Sequence, residues 1–119
     1  MDIGGEHSRA LTKLMAASAL RDRVISSNIA NQNVPGYQRQ YVRFEELLRD
    51  KLAHGDPNYL ATEPEVLTDR ISPAGPDGNN VSLELETNAA RENRLLFELY
   101  AAIFQGRMDM VQAAITQSR

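Results

Sequence analysis

The sequence predicts an all-α fold in which long N- and C-terminal helices pair antiparallel as a coiled-coil-like domain. Three observations predict it. Apolar residues recur at alternating spacings of three and four in both terminal parts of the chain. No proline lies in residues 77–119, whereas four of the five prolines fall in residues 55–80. With 119 residues, 42% of them apolar, the chain is expected to form one domain over residues 1–119.

The N-terminal helix is predicted over residues 8–31. The hydroxyl of Ser8 suits an N-cap, where a side-chain oxygen accepts a hydrogen bond from the first turn. Leu11, Leu14 and Ile25 belong to a stripe at helical spacing. Polar residues interrupt the middle of this stripe, so we expect a helix that is amphipathic mainly at its two ends.

Residues 32–80 are predicted to contain a turn, one short helix and a long irregular loop. Phe44, Leu48 and Leu52 stand at helical spacing, and Gly55 follows where such a helix would end. The stretch after it is rich in proline and glycine and is too long for an ordinary connection in a compact domain. We therefore expect this stretch either to be mobile or to become ordered only against a partner.

The clearest periodicity belongs to the C-terminal helix, predicted over residues 81–118. Asn80 or Ser82 is expected to cap its start. The helix would be roughly 50 Å long at about 1.5 Å per residue, so the N-terminal helix cannot cover its whole apolar seam. A second copy or another protein is expected to cover the rest. The seam includes Leu96, Leu99, Ile103, Gly106 and Met110.

Gly106 interrupts the seam of the C-terminal helix. Glycine inside a helix costs roughly 1 kcal/mol relative to alanine, because it has more conformational freedom to lose. A glycine at such a position is expected to have a packing reason. The sequence therefore predicts that another helix approaches closely at Gly106.

The composition argues against catalysis and ligand binding. The chain has no cysteine, which excludes disulfides, thiol catalysis and cysteine-based metal sites. Its net charge of −3 argues against a general nucleic-acid binder, which would normally carry a basic face. The two histidines lie far apart, and no phosphate-binding loop or nucleophile motif is present. We predict no catalytic residue, no cofactor, no metal site and no small-molecule substrate.

Two polar segments are better explained by turns and surface pairs than by chemistry. Glu45 and Glu46 occupy consecutive helical positions and point in different directions, so we expect both to face solvent. Glu45 can pair with Arg49 one turn later. Residues 77–80, which read DGNN, lack the ligand spacing of a calcium loop and are expected to form a turn and a helix cap.

Residues 33–37 read NVPGY and predict a tight turn directly after the N-terminal helix. Proline presets the first central position of such a turn, and Gly36 tolerates the positive φ of the second. Asn31 or Asn33 is expected to end the helix in a left-handed conformation. Tyr37 is then placed just beyond the turn, where it can pack back on the helix end.

The turn is part of a longer motif, residues 27–39, which reads SNIAN, two spacer residues, then VPGYQR. This motif resembles the N-terminal signature of bacterial flagellar rod, hook and filament-cap-junction proteins, with Val34 where threonine is usual. The segments RFE at 43–45 and DGNNV at 77–81 narrow the resemblance to proximal rod subunits. The residues that carry it are Asn28, Asn31, Pro35, Gly36, Tyr37 and Arg39.

This resemblance implies a structural subunit of the flagellar basal-body rod, with no enzymatic activity. Copies are expected to assemble helically into the axial drive shaft and export channel. Other axial rod proteins and the junction between the inner-membrane ring and the export gate are the expected neighbours. The resemblance also implies a periplasmic location, reached through the flagellar type III export apparatus, and we expect no cleaved signal peptide. The expected assembly seam consists of Leu11, Leu14, Ile25, Leu96, Leu99, Ile103, Gly106 and Met110.

A second hypothesis is a small helical adaptor or flagellar export chaperone that binds one partner through the C-terminal helix. Self-assembly separates the two hypotheses. An adaptor saturates at a defined stoichiometry, whereas a rod subunit adds to a growing end. A small enzyme is a third hypothesis, but no convergent set of polar residues supports it.

Overall fold

The computed structural model of the chain describes residues 5–117. The long terminal helices and the short middle helix are confirmed, and the fold is mostly helical as predicted. Two short strands in the middle form a small sheet that the all-α prediction did not include. The chain measures 68 by 28 by 15 Å. Its elements are α1 (Glu6–Ala30), β1 (Gln40–Arg43), α2 (Glu45–Ala53), a 3-10 turn (Tyr59–Ala61), β2 (Glu65–Thr68) and α3 (Leu83–Gln117).

The two long helices lie side by side and run in opposite directions. Near the end of α1, Asn28 hydrogen-bonds to Glu86 near the start of α3, at 3.2 Å. Further back along α1, the carbonyl oxygen of Ser18 accepts a hydrogen bond of 2.8 Å from Asn93, which lies further along α3. With 35 residues against 25, α3 is about 15 Å longer than α1 at about 1.5 Å per residue. Hence α1 cannot cover the full length of α3.

Polar residues, and not the apolar seam, make the buried contact of α3 with α1. Glu86 and Asn93 are the buried residues of α3, and Tyr100, seven residues further on, is half-buried on the same face. Leu99 and Ile103 point elsewhere and are 53% and 44% exposed. At these two positions the apolar seam therefore faces outward and is not covered by α1.

A small apolar core forms where α1 meets the segment from β1 to α2. It consists of Ala17, Phe44 and Leu48, with Leu14 and Tyr59 packed against it. Phe44 is only 1% exposed and stands between the last residue of β1 and the first residue of α2. One buried side chain therefore fixes both elements against the middle of α1.

The segment rich in proline and glycine is folded against the chain itself. Strand β2 pairs antiparallel with β1, in a register that runs from Gln40 opposite Thr68 to Arg43 opposite Glu65. Thr62, between the 3-10 turn and β2, is buried. The expectation that this segment is mobile or needs a partner was wrong, because β1 supplies the backbone hydrogen bonds that β2 requires.

The N-terminal helix begins earlier than predicted. Gly5 occupies the N-cap position without a side-chain hydrogen bond, so Ser8 lies inside α1 and is not its cap. At the other end, Asn31 has a φ of −100° and is not left-handed. Among residues 5–117, positive φ values occur at glycines and not at Asn31 or Asn33. The left-handed helix end was therefore a wrong prediction.

The other helix ends agree better with the sequence. Gly55 has a φ of 66° shortly after α2, as its position predicted. The backbone N–H of Leu85 donates to the hydroxyl of Ser82 at 3.4 Å, which confirms Ser82 as a cap of α3. Residue 118, the predicted end of the C-terminal helix, lies outside the described residues. Within residues 5–117, no helix is both long enough and apolar enough to cross a membrane.

Replacing Phe44 by alanine is expected to lower the free energy of unfolding by about 3–5 kcal/mol, because it leaves a cavity in the small core. Urea unfolding followed by circular dichroism measures the loss. Leu52→Ala is the matched control, since Leu52 lies on α2 but is 52% exposed. Its loss should stay below about 1 kcal/mol. Equal losses in the two variants would contradict this placement of the core.

Candidate functional site

The turn after α1 has the geometry that its sequence predicted. The N–H of Tyr37 donates to the carbonyl of Val34 at 3.2 Å, which closes a four-residue turn. Gly36 has a φ of 77°, as the second central position of a type II turn requires. The N–H of Gly36 points outward from the turn and donates to the carbonyl of Asp77 at 2.8 Å. The turn therefore lies directly against the loop that leads into α3.

Asn28 is the centre of a buried polar site beneath this turn and has no exposed surface. Its Nδ2 donates to the carbonyl of Gln40 at 2.7 Å, and its Oδ1 accepts from the N–H of Gln40 at 2.9 Å. The side-chain amide thus pairs with the edge of β1 as a neighbouring strand would. Asn28 also accepts from the Tyr37 hydroxyl at 3.1 Å and donates to Glu86 at 3.2 Å. Its two donors and two lone pairs are all used.

Arg39 joins the two carboxylates of the site. Its Nε donates to Glu86 Oε1 at 2.5 Å, and its Nη1 donates to Asp69 Oδ2 at 2.9 Å. Glu86 is 1% exposed, so its charge needs both an ion partner and hydrogen bonds, which Arg39 and Asn28 supply. Partial burial opposes the charge of Arg39, but its hydrogen bonds to the two carboxylates outweigh this and raise the pKa of Arg39 above its ordinary value.

Asp69 follows β2 and organises the loop after it. The hydroxyl of Ser72 donates to Asp69 Oδ2 at 2.6 Å, and the N–H groups of Ser72 and Ile71 donate to Oδ1 at 3.0 and 2.9 Å. These bonds, together with the contact to Arg39, lower the pKa of Asp69 below its ordinary range. These bonds therefore favour the ionised form of Asp69 in the folded chain.

Asn79 holds the end of α1 from the opposite side. Its Nδ2 donates to the carbonyl oxygens of Asn31 and Val34, at 2.9 and 2.8 Å. Each of these carbonyls also accepts a backbone N–H, from Val34 and Tyr37 respectively, so Asn79 gives both a second hydrogen bond. Asn79, from the second polar segment, therefore ties the end of α1 and the turn to the loop that leads into α3.

Asn80 binds the chain just after the turn. Its Oδ1 accepts from the backbone N–H of Arg39 at 2.7 Å, and its Nδ2 donates to the carbonyl of Asp69 at 2.9 Å. The interpretation of residues 77–80 as a turn and a helix cap was therefore incomplete. Their turn is present, with Gly78 at a φ of 82°, but the asparagine side chains bind the N-terminal motif and leave the capping of α3 to Ser82.

The structure brings the predicted motif together and adds partners that the sequence did not single out. We define the motif lock as the hydrogen-bonded set that joins the end of α1, β1, the loop after β2 and the start of α3. One signal for the missing partners was present: Glu86 and Asn93 are polar residues seven positions apart, on one face of a helix with an otherwise apolar pattern. The motif lock consists of Asn28, Tyr37, Arg39, Gln40, Asp69, Asn79, Asn80 and Glu86.

A second polar cluster lies further along the helix pair. Arg21 donates to both oxygens of Glu45, at 2.5 and 3.2 Å, and to Asn93 Oδ1 at 3.1 Å. The Tyr100 hydroxyl donates to Glu45 at 3.4 Å, and burial and this carboxylate raise the pKa of Tyr100. The expectations that Glu45 faces solvent and pairs with Arg49 were wrong, because Glu45 points inward and joins α2 to both long helices.

The two clusters are suited to holding elements together. The carboxylates of Glu45, Asp69 and Glu86 are each occupied by donors from the chain. In the part of the chain that the structure describes, no group of three or more histidines and acids is arranged to hold a metal ion. The arrangement joins the N-terminal motif to α3 in one register.

The residues of the predicted assembly seam fall into two groups. Leu11 and Ile25 are 8% and 4% exposed, and Leu14 packs on the core, so the single chain already covers these three. Leu96 is half-buried, and the position of a Cβ on Gly106 would have no atom within 4 Å. The role of these residues in assembly stays a prediction. We define the outer stripe as five large apolar residues that lie on one face of α3 at helical spacing and are 44–69% exposed: Leu85, Leu95, Leu99, Ile103 and Met110.

Comparison with known proteins points to the same motif. A family described as flagella basal body rod protein matches residues 14–38, which cover most of α1 and the turn. The chain is 31% identical over 104 residues to the flagellar basal body rod protein FlgB of Borrelia hermsii, across 71% of this chain and 77% of that protein. FlgB of Borreliella burgdorferi is 28% identical over 100 residues, across 68% of this chain and 74% of its own. FlgB of Aquifex aeolicus is 27% identical over 100 residues, across 80% and 81%.

Gly36→Val is expected to destabilise the chain by about 1–3 kcal/mol, because a β-branched residue at positive φ is strained even where space is free. Thermal and urea unfolding measure this loss. Gly106→Ala is the control: Gly106 has ordinary helical geometry and open space, so alanine should stabilise the isolated chain by up to about 1 kcal/mol. Unchanged stability in Gly36→Val would contradict the need for glycine in the turn.

Asp69→Asn is expected to destabilise the chain at neutral pH but much less in acid. The lowered pKa of Asp69 means that its contribution is complete above the unfolded-state value of about 3.9 and is lost as pH falls towards the folded-state value. The difference in unfolding free energy between wild type and variant, measured in urea between pH 7 and pH 2.5, should therefore shrink below about pH 4. Ser72→Ala should make the total decline smaller and end it at higher pH, since it removes a donor that lowers the folded-state pKa of Asp69. A difference independent of pH would contradict the assignment.

Proposed function

This chain belongs to the family of flagellar basal-body rod proteins FlgB and is a structural subunit of the rod; we propose that its copies assemble through the outer stripe of α3. The same family membership favours the rod subunit over the adaptor or export chaperone. Members of this family are structural rod proteins, and two residues of the motif lock, Asn28 and Tyr37, lie in the segment that the family description matches.

The observation that carries the proposal is the outward direction of the outer stripe. Its five residues follow helical spacing, and the most exposed of them, Met110, has 69% of its surface free. Contiguous apolar surface of this kind normally marks an interaction site in a protein that works in water. Burying this surface between subunits stabilises the assembly by about 25 cal/mol for each Å² of apolar area. The chain has a small core of its own, so assembly supplies stabilisation that the single chain lacks.

We propose further that α1 and α3 form a coiled-coil-like inner part of the rod, beside the axial channel, and that the assembly is helical. Other axial rod proteins are the proposed neighbours along the rod. The junction between the inner-membrane ring and the export gate is the proposed neighbour at its base. We place the subunit in the periplasm, with delivery by the flagellar type III export apparatus. Family membership supports these proposals, as does the antiparallel contact of the two long helices.

The variant Leu99→Asp with Ile103→Asp is expected to abolish rod assembly, because it places two charges in the outer stripe. Both residues are exposed, so the fold should survive, as judged by circular dichroism. The measurement is electron microscopy of basal bodies from cells that lack the native gene and carry the variant, with motility scored alongside. Cells without any copy should form the inner-membrane ring but no rod.

Gln105→Glu with Gln112→Glu is the control, since it changes the charge of the same helix by the same amount at exposed positions outside the outer stripe. This control should support complete rods. Complete rods with the Leu99 and Ile103 variant would show that another face mediates assembly. Complete rods in cells without any copy would overturn the proposed function itself.

A further inference from the structure

A groove runs between α1 and α3 on the side of α3 away from the outer stripe. It has a volume of about 540 Å³ and is mostly apolar. Ser18 and Ala19 form its wall on α1, and Ala90 and Phe97 form its wall on α3. At about 100° per residue, the groove and the outer stripe lie on nearly opposite sides of α3. Phe97 is 38% exposed, so an apolar ring remains accessible in the groove.

We propose that this groove receives the outer stripe of a second copy of the chain, so that each subunit carries both halves of one head-to-tail contact. This inference rests on the proposed rod function and names the surface that meets the outer stripe. Two different surfaces on opposite sides of one helix form a heterologous contact, which repeats without closing unless its rotation happens to form a ring. A contact between two outer stripes would instead bury both stripes in a symmetric dimer. No stripe would then remain free to bind a further subunit, so the assembly would stop at two copies.

The charges around the two surfaces favour a second copy. Arg91 and Arg94 stand at the α3 rim of the groove, in the first half of α3, and Asp22 stands at the α1 rim. Glu98 and Asp109 lie beside the outer stripe, further along α3 than these arginines and on the flank towards this rim. A copy displaced along the helix axis brings its acids next to the rim arginines of its neighbour. The pair of Arg94 and Glu98 within one chain is exposed, at 3.4 Å, and such pairs exchange partners at little cost.

The small side chains in the groove give an incoming helix room to approach. Ala19 and Ala90 both line it, one from each long helix. Glycine in the incoming helix brings the two backbones closer still, as small residues do at helix contacts. Gly106 lies at the edge of the outer stripe, and a Cβ placed on it would meet no side chain or other element of the described chain within 4 Å. Docking the outer stripe into the groove of another copy therefore gives Gly106 the packing reason that the single chain does not.

Disulfide cross-linking tests the contact between the groove and the outer stripe. The native chain has no cysteine, so any disulfide between copies must join the introduced cysteines. Four double variants combine a groove position, Ala19→Cys or Ala90→Cys, with a stripe position, Leu99→Cys or Ile103→Cys. The two sites in one chain lie on opposite sides of α3 and cannot bond to each other. Basal bodies carrying each variant are isolated, oxidised with copper phenanthroline and run on non-reducing gels. At least one double variant should give dimers and larger products, and the single variants should stay monomeric.

Two results would overturn the inference. Dimers from a single stripe variant would show that outer stripes face each other. Absence of disulfides in all four double variants, with the subunit present in the basal bodies, would show that the groove does not receive a second copy. Absence of the wild-type chain from basal bodies, checked by immunoblot, would instead overturn the proposed rod function, so the two failures are distinguishable.

A charge reversal gives an independent measurement. Arg91→Glu with Arg94→Glu places acids at the rim beside the acids of the incoming copy, and should reduce complete rods per cell by about tenfold or more, since like charges in an interface are strongly unfavourable. Arg23→Glu with Arg70→Glu is the control, because both arginines are exposed and lie outside the groove. Its rods should stay within about twofold of wild type. Equal effects in both variants would overturn the role of the groove rim.

Discussion

The buried carboxylate of Glu86 is the constraint on which the rest of the structure depends. A charge with 1% exposure is tolerated only where an ion partner and hydrogen bonds replace water. Arg39 and Asn28 provide both, and they come from the turn and from the end of α1. Removing one partner from such a site typically costs about 3–5 kcal/mol. The N-terminal motif and α3 are therefore tied together at one point and in one register.

This register has consequences along the whole molecule. A shift of α3 by one turn would separate Glu86 from Asn28 and also Asn93 from Ser18, leaving buried polar groups without partners. Polar contacts thus decide how the long helices align. The apolar residues of α3 are free to face outward, because the helix pair does not need them for its own alignment. A chain built in this way keeps a defined fold while presenting the outer stripe for assembly.

The predictions succeeded where a signal is local and failed where it depends on distant residues. Gly36 could be assigned its positive φ because a Pro-Gly pair restricts the backbone of the turn itself. Strand β2 was missed because its four residues are stabilised by β1, more than twenty positions earlier in the chain. Glu45 was assigned to solvent because Glu45 and Glu46 are consecutive helical positions and no partner for Glu45 beyond Arg49 was evident from nearby residues. Its true partner, Arg21, lies on another helix.

The sequence by itself determined the two long helices, the tight turn between α1 and β1 and the family resemblance. These features could be predicted because helical periodicity and turn preference depend on residues that are close together in the sequence. Tertiary structure alone decided which face of α3 meets α1. Both the apolar seam and the row through Glu86 and Asn93 follow helical spacing, so periodicity cannot choose between them. The row through Glu86 and Asn93 faces α1 because it pairs with Asn28, Arg39 and Arg21. Buried polar groups need hydrogen-bond partners, and these partners come together only in the folded chain.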